Sequence, residues 1–137
     1  MTTADEQDHP AGIGEVAARV GLDPDTIRYY ERHGVLPPPD KDAGGRRRYD
    51  PGAVHLIEVL LHLRDTGMPL ARITEFTHLV ARDPAGVPER LALLKDHRAE
   101  VAERIRTWTK SLNVIDQKIT DYQSRTDNDE QARRPAR

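Results

Sequence analysis

The segment PDTIRYYERH, residues 24–33, carries side chains that suit the major groove of a DNA duplex. On a helix, Ile27 and Tyr30 are three residues apart and share one face, which we expect to pack inward. Arginine reaches phosphates or guanine edges, threonine reaches bases or backbone, and tyrosine donates to phosphates. The outward face would then offer Thr26, Arg28, Tyr29 and Arg32 to DNA. Taken alone, the segment fits an ordinary solvated helix face equally well.

A second basic cluster, GGRRRYD at residues 44–50, follows the first segment closely. Neighbouring side chains alternate on extended backbone, so Arg46 and Arg48 point one way and Arg47 the other. At least one arginine should therefore face a bound duplex, and Tyr49 closes the cluster. A functionless surface charge run is the alternative, but the position just after the helical segment favours DNA contact.

The net charge of −2 gives no general attraction to nucleic acid. Between residues 28 and 49, however, six basic residues outnumber three acidic ones, and such a local positive surface suffices for phosphate contact. No apolar run approaches the roughly 20 residues of a membrane span, and residues 1–10 lack a signal-peptide pattern. We therefore expect a cytoplasmic protein that does not engage a membrane.

The sequence contains no pattern that indicates a metal site, a cofactor site or an enzyme active site. Cysteine is absent, which excludes disulfides, thiolate metal sites and thiol redox sensing. His55 and His62 share a helix face but are seven residues apart, without metal-ligand spacing. No serine–histidine–aspartate order, phosphate loop or carboxylate pair is visible, so we expect no metal, no cofactor and no enzyme activity.

The elements that position the two basic clusters follow from local signals. Apolar spacing predicts a first helix over Ile13–Val20, ended by Gly21. Asp23 and Pro24 then cap a second helix through about residue 33, which completes a helix-turn-helix. Three prolines and two glycines make residues 35–49 a hairpin, or wing, with its turn near residues 41–45.

Two more helices and a long seam follow. Asp50 and Pro51 begin a third helix that ends at Gly67, and a fourth follows Pro69. From residue 88 to residue 123, seam positions recur at steps of three and four, which is typical of a coiled coil. Nine of the ten positions are apolar and Arg98 is the exception. The nine predicted dimerisation residues are Leu91, Leu94, Val101, Ile105, Trp108, Leu112, Ile115, Ile119 and Tyr122.

Together these patterns predict a mainly α protein. Residues 12–82 form a winged helix-turn-helix DNA-binding domain of four helices and a short β wing, and residues 83–87 form a linker. Residues 88–123 form a long C-terminal dimerisation helix, since a lone helix cannot bury such a stripe against so small a head. The polar ends, residues 1–11 and 124–137, are predicted to be disordered tails.

Residues 12–82 closely resemble the head of the MerR (mercury-resistance-type) transcription regulators. The resemblance rests on TIRYYE, the Gly-Val-Leu-Pro entry to the wing, Arg47 and Tyr49 closing it, and Gly67 before the fourth helix. It implies a long helix paired antiparallel with its twin, and a homodimer on a palindromic element of double-stranded promoter DNA. It also implies that the protein changes the promoter spacer so that RNA polymerase can use it.

Carried onto this sequence, the resemblance assigns DNA contacts to Thr26, Arg28 and Tyr29 in the second helix. It assigns wing contacts to Arg47 and its neighbours. Tyr49 matches the tyrosine that closes the wing, and Tyr30 matches a mainly core position.

The sensing signal differs from that of the metal-responsive members, which use cysteine. LRDTGMPL and R-x-x-LL-x-x-H-R at residues 90–98 look most like the small, aldehyde-responsive alcohol-dehydrogenase-regulator branch. An effector would have to act by packing, hydrogen bonds or an amine adduct, and we expect it where head meets dimer helix. The expected pocket residues are His62, Phe76, Leu79 and His97. A packed hydrophobic joint without any ligand is the equal alternative.

Two other binding functions fit the sequence less well than a transcription regulator does. An excisionase-like architectural module uses a similar head, but such proteins are generally shorter and lack the heptad helix. A ligand-sequestering protein would need an appended ligand domain, for which no room remains after residue 125.

Overall fold

The computed structural model describes residues 10–135, which fall into two compact units divided between Lys95 and Asp96. The elements follow the predicted order, and the mainly α winged helix-turn-helix with a long C-terminal helix is confirmed. They are α1 (Ile13–Val20), α2 (Pro24–Arg32), β1 (Asp40–Lys41), β2 (Arg47–Arg48), α3 (Pro51–Asp65), α4 (Leu70–Ala81) and α5 (Val87–Arg133).

Two local signals make the helix-turn-helix. Gly21 ends α1 in the left-handed region, with φ at 73°, and its N–H donates to the carbonyl of Ala17. The Asp23 side chain accepts from the amide of Asp25, and Pro24 occupies the first turn of α2. The turn thereby sets the direction in which α2 leaves α1.

The hydrophobic core of the first unit holds α2 against the other helices of the head. Its largest fully buried side chains come from α1, α2, α3, α4 and the segment entering the wing. Burial of each such side chain contributes about 1.5–3 kcal/mol. Thr77 adds a buried hydrogen bond, donating at 2.6 Å to the carbonyl of Val35. The fully buried set is Val16, Ile27, Leu36, Ile57, Leu60 and Ile73.

The connection from α4 to α5 depends on a close backbone approach at Gly86. A Cβ added there would lie 2.2 Å from the carbonyl oxygen of Leu79, a separation that real side chains do not tolerate. Only glycine fits, because the obstacle is backbone and cannot rotate away. Leu93, at the start of α5, is also buried in the core cluster.

The long helix differs from its expected bounds. It begins at Val87 and continues to Arg133, so residues 124–133 of the predicted disordered tail are helical. That stretch has no apolar seam, and only half of its residues are strong helix formers. It is helical because extending an existing helix is far easier than starting one. Residues 1–9 and 136–137 of the predicted tails lie outside the described residues. Along residues 10–135, no helix combines the length and apolar character needed to cross a membrane.

Candidate nucleic-acid interface

The wing is a tight hairpin organised by Asp42. Its strands pair antiparallel, with Asp40 opposite Arg48 and Lys41 opposite Arg47. The Asp42 carboxylate accepts from the amides of Gly44 at 3.0 Å and Arg46 at 2.9 Å. Gly45 follows in the left-handed region with φ at 78°, as a three-residue hairpin loop requires.

These contacts favour the ionised form of Asp42. The hydrogen bond from the Arg46 amide, with smaller contributions from Arg48 and the Gly44 amide, lowers the pKa of the carboxyl below its usual 3.8. The Nε of Arg48 also donates to Asp42 at 3.3 Å. The ionised Asp42 carboxylate therefore stabilises the turn of a wing that is otherwise rich in arginine.

A buried carboxylate on α2 attaches the wing to the helix. Glu31, whose side chain is only 5% exposed, accepts from Arg47 Nε at 3.2 Å and from the Tyr49 hydroxyl at 3.0 Å. Two residues predicted to contact DNA thus have contacts inside the protein. The clamp formed by Glu31, Arg47 and Tyr49 fixes the distance between wing and helix.

Tyr49 is the least accessible member of this clamp, at 2% exposure. Burial, and then the hydrogen bond to Glu31, raise the pKa of its hydroxyl, so it stays a neutral donor. Its backbone exchanges two hydrogen bonds with Ala11, at 2.8 and 2.9 Å, just before α1. Tyr49 therefore ties the wing to both helices of the helix-turn-helix.

Four of the predicted DNA-contacting arginines line one cleft. The cleft has a volume of about 400 Å³ and opens beside the first residues of α1. Gly12 caps α1 without a side-chain hydrogen bond, so that helix terminus contributes free N–H groups and a partial positive charge. Such a surface suits a phosphate group. The lining residues are Gly12, Ile13, Arg28, Gly45, Arg46, Arg47 and Arg48.

The outward face of α2 is the other half of the interface. Tyr29 is half exposed, and its ring centroid lies 4.2 Å from that of His33. Arg28 pairs with Asp25 at 2.8 Å, Thr26 is partly buried, and Arg32 is exposed. The same helix is held from behind by the fully buried Ile27.

Comparisons with known proteins show which family shares this sequence and fold. The family model "MerR HTH family regulatory protein" matches residues 12–78, and "MerR, DNA binding" matches residues 54–118. The HTH-type transcriptional regulator AdhR of Bacillus subtilis is 34% identical over 66% of this chain, which spans 65% of AdhR, just under two thirds. The HTH-type transcriptional regulator ZntR homolog of Haemophilus influenzae is 31% identical over 68% of this chain and 69% of its own length. The chain belongs to the MerR family.

Solved MerR structures show the same fold. A MerR family transcriptional regulator from Listeria monocytogenes superposes with a TM-score of 0.80 at 27% identity, covering 89% of this chain and 92% of its own. HiNmlR, a MerR family regulator lacking the sensor domain and bound to promoter DNA, gives 0.75 at 26% identity, covering 84% and 91%. This chain is accordingly a DNA-binding transcription regulator of the MerR family and not an enzyme.

Sequence reasoning missed two acidic residues that organise this MerR head. Glu31 stood within the TIRYYE motif, and Asp42 stood in the predicted turn, but neither received a role. For Glu31 the available signal was an acid among arginines, and for Asp42 it was an aspartate two residues before a glycine, where the side chain commonly accepts from the backbone of its own turn. The partners of Glu31 could not be assigned because Arg47 and Tyr49 are 16 and 18 residues away in sequence, whereas those of Asp42 are local.

The predicted dimerisation residues are largely exposed within the single chain. Trp108 is 77% exposed, and six other seam residues from Leu91 to Tyr122 are about half exposed or more. Leu94 is somewhat less exposed and Val101 is half-buried. Pairing with a second copy stays a prediction that this exposure supports.

The expected effector residues differ in their surroundings. Phe76 and Leu79 are buried in the core of the first unit, whereas His62 is exposed. His97 belongs to the second unit and is buried. An effector at these residues stays a prediction. Across the described residues 10–135, no group of histidine, aspartate and glutamate side chains has an arrangement that could hold a metal ion.

Proposed function

We propose that two copies of this chain bind a palindromic promoter element and regulate transcription by changing the geometry of the spacer that RNA polymerase must use. The observation that carries the proposal is the cleft in which Arg28 of α2 meets the wing arginines Arg46, Arg47 and Arg48. Sequence-specific binding needs contacts to base edges and contacts to phosphates. Here the outward face of α2 can contact bases, and the basic cleft beside it can contact phosphates.

The clamp at Glu31 supports this proposal because it makes the interface rigid before DNA arrives. Arg47 and Tyr49 are already oriented by one carboxylate, so binding would not have to order the wing against α2. Arg46 is exposed, which leaves it available to a phosphate. We assign Arg28 to base or phosphate contact, Arg46 and Arg48 to phosphate contact, and Arg47 and Tyr49 mainly to positioning.

The palindrome follows from the second copy. A homodimer with two-fold symmetry presents two identical recognition helices, and these match two inverted half-sites. Sequence-dependent bending or twisting of the DNA between the half-sites then enters the binding energy. HiNmlR, which shares the fold, is itself described on promoter DNA, and this supports the choice of promoter DNA as the partner.

The first experiment selects bound DNA from a genomic pool and then measures affinity for the enriched site. Arg28→Ala should cost about 1–3 kcal/mol and relax specificity at one position, while Arg46→Ala should weaken all sequences alike. Each lost phosphate contact should also flatten the salt dependence by about one unit. Arg106→Ala is the matched control, because it removes an arginine that pairs with Glu103 on α5. Wild-type affinity in Arg28→Ala and Arg46→Ala would contradict the interface.

The second experiment tests the spacer. Transcription is measured on the selected promoter and on versions with the spacer changed by one or two base pairs, with and without the protein. We expect the effect of the protein on transcription to change with spacer length although its affinity hardly changes. An effect independent of spacer length would reject the spacer mechanism and leave DNA binding intact.

A further inference from the structure

Polar and charged side chains along α5 differ in whether they find partners within the helix. Away from the seam, Arg106 donates to Glu103 at 2.9 Å, and Gln117 donates to Asp121 at 3.2 Å. Beside or within the seam, the exposed side chains of Lys95, Arg98 and Asp116 form no ion pair or hydrogen bond with the described residues 10–135. Asp96, Glu100 and Lys110 on the other faces of α5 are likewise without an ion pair within the described residues, but Lys95, Arg98 and Asp116 are the ones that lie where a second helix would pack.

The heptad pattern fixes where these three residues stand. With Leu91 at position a and Leu94 at position d, Arg98 occupies an a position within the apolar seam. Lys95 and Asp116 both occupy e positions, which flank the a positions on one side. An arginine in a seam is costly unless a carboxylate of the partner meets it.

Antiparallel pairing can supply that carboxylate. When one helix is reversed, a positions face d positions and e positions face e positions. One register uses all ten seam positions, with Ile105 opposite Trp108 of the partner subunit at the centre and Leu91 opposite Tyr122 of the partner subunit at the end. In that register Arg98 and Lys95 both lie beside Asp116 of the partner subunit, and two-fold symmetry creates this contact twice.

Other arrangements leave Arg98 without an acid. A parallel pair in register would set Arg98 against Arg98 of the partner subunit inside the seam. An antiparallel pair shifted by one heptad would set Arg98 beside Thr109 or Gln123 of the partner subunit, neither of which is charged. A shift by one heptad in either direction also leaves seam positions at the helix ends without a partner.

We propose that Asp116 is the residue that selects the partner, direction and register of the dimer, by pairing with Arg98 and Lys95 of a second copy of this chain. The inference rests on the homodimer of the proposed function and adds the contact that specifies it. The apolar seam provides general attraction, and these charges decide which helix is accepted and where it sits.

Charge-swapped variants test the pairing in the full chain. Asp116→Lys alone, or Lys95→Glu with Arg98→Glu in another chain, should weaken self-association on the order of 10- to 100-fold, because attraction becomes repulsion at both symmetric contacts. Mixing the two variants should restore a one-to-one dimer, since every contact is then again between opposite charges. Sedimentation and native mass spectrometry measure both results, and circular dichroism checks that each variant stays helical.

The matched control is Asp121→Lys, which makes the same charge change on the opposite side of α5. It should dimerise like the wild type. Wild-type self-association of Asp116→Lys, or failure of the mixture to form the mixed dimer, would overturn the proposal. A mixed dimer that does not bind the selected operator would count against the proposed function and leave the register standing.

A distance measurement gives an independent outcome. Because the chain has no cysteine, Gln117→Cys allows a single spin label per copy. The proposed register separates the two labels by about 30 Å along the helix axis, and a one-heptad shift changes that by about 10 Å. Labels side by side would indicate a parallel pair and refute the proposal.

Discussion

The DNA-facing head and the C-terminal helix satisfy their side chains in opposite ways. In the head, Glu31 holds Arg47 and Tyr49, Asp42 holds Arg48, and most of the large apolar side chains are buried. Along the helix, Trp108 is 77% exposed and the other seam residues largely share its exposure. The head buries its core within one chain, whereas the helix leaves its seam exposed, which is what the proposed dimer would cover.

This contrast has a thermodynamic consequence. Damage to the head should lower the melting temperature by the same amount at every protein concentration. Damage to the seam should change how stability depends on concentration, because association contributes by mass action.

The largest expected effect is in the seam. Leu112→Glu with Ile115→Glu removes four apolar side chains per dimer and should weaken association by at least ~1000-fold, since each contributes about 1.5 kcal/mol or more. Operator binding should be lost with it. Analytical ultracentrifugation measures the dimer. Val114→Glu is the control, because Val114 is as exposed as Leu112, 59% against 57%, but lies off the seam. If the double variant dimerises like the wild type, the seam does not hold the two chains together.

Gly86→Ala should produce the largest effect confined to the first unit. The added methyl would meet the Leu79 backbone at 2.2 Å, so we expect a loss of about 3 kcal/mol, measured by chemical denaturation. Gly14→Ala in α1 is the control, because nothing lies within 4 Å of its Cβ position. That variant should be neutral or slightly more stable. Equal behaviour of the two variants would mean that α4 and α5 do not meet closely at Gly86.

Loss of the clamp at Glu31 should be the next effect in size. Glu31→Ala leaves the buried Tyr49 hydroxyl and Arg47 without their acceptor, at a cost of about 1–3 kcal/mol, and operator affinity should fall as well. Glu31→Gln keeps an acceptor for Tyr49 and should lose less. Thermal melts and operator titrations check both. The control is Glu58→Gln, which breaks the exposed pair with Arg19 and should cost less than about 1 kcal/mol. If Glu31→Ala lowers the stability no more than Glu58→Gln does, the clamp does not stabilise the head.

The smallest effect concerns the acidity of Asp42. Because its pKa is lowered in the folded wing, the ionised carboxylate stabilises the turn above its ordinary pKa of 3.8. That contribution is lost as the pH falls through the lower folded value. Amide shifts of Gly44 and Arg46 should therefore titrate together at acidic pH, as seen by NMR. In Asp42→Asn this shared titration should disappear, and its persistence would assign it to another group.

Sequence patterns predicted where the helices of the head begin, because those contacts are local. Asp23 with Pro24, and Asp50 with Pro51, begin α2 and α3 as predicted, since a cap acts on amides two or three residues away. The steps of three and four that define the seam are likewise a property of one helix. The order of the elements and the basic surface of α2 and the wing could therefore be predicted.

Tertiary structure alone decided which charges are used internally. The internal contacts of Arg47 and Tyr49 could not be predicted because their partner, Glu31, is 16 and 18 residues away in sequence. Their contact with DNA stays a prediction. The need for glycine at position 86 likewise depends on the backbone of Leu79. Local patterns determine where helices begin and which face is apolar. Partners brought together only by folding determine whether a given arginine or tyrosine is free to meet DNA.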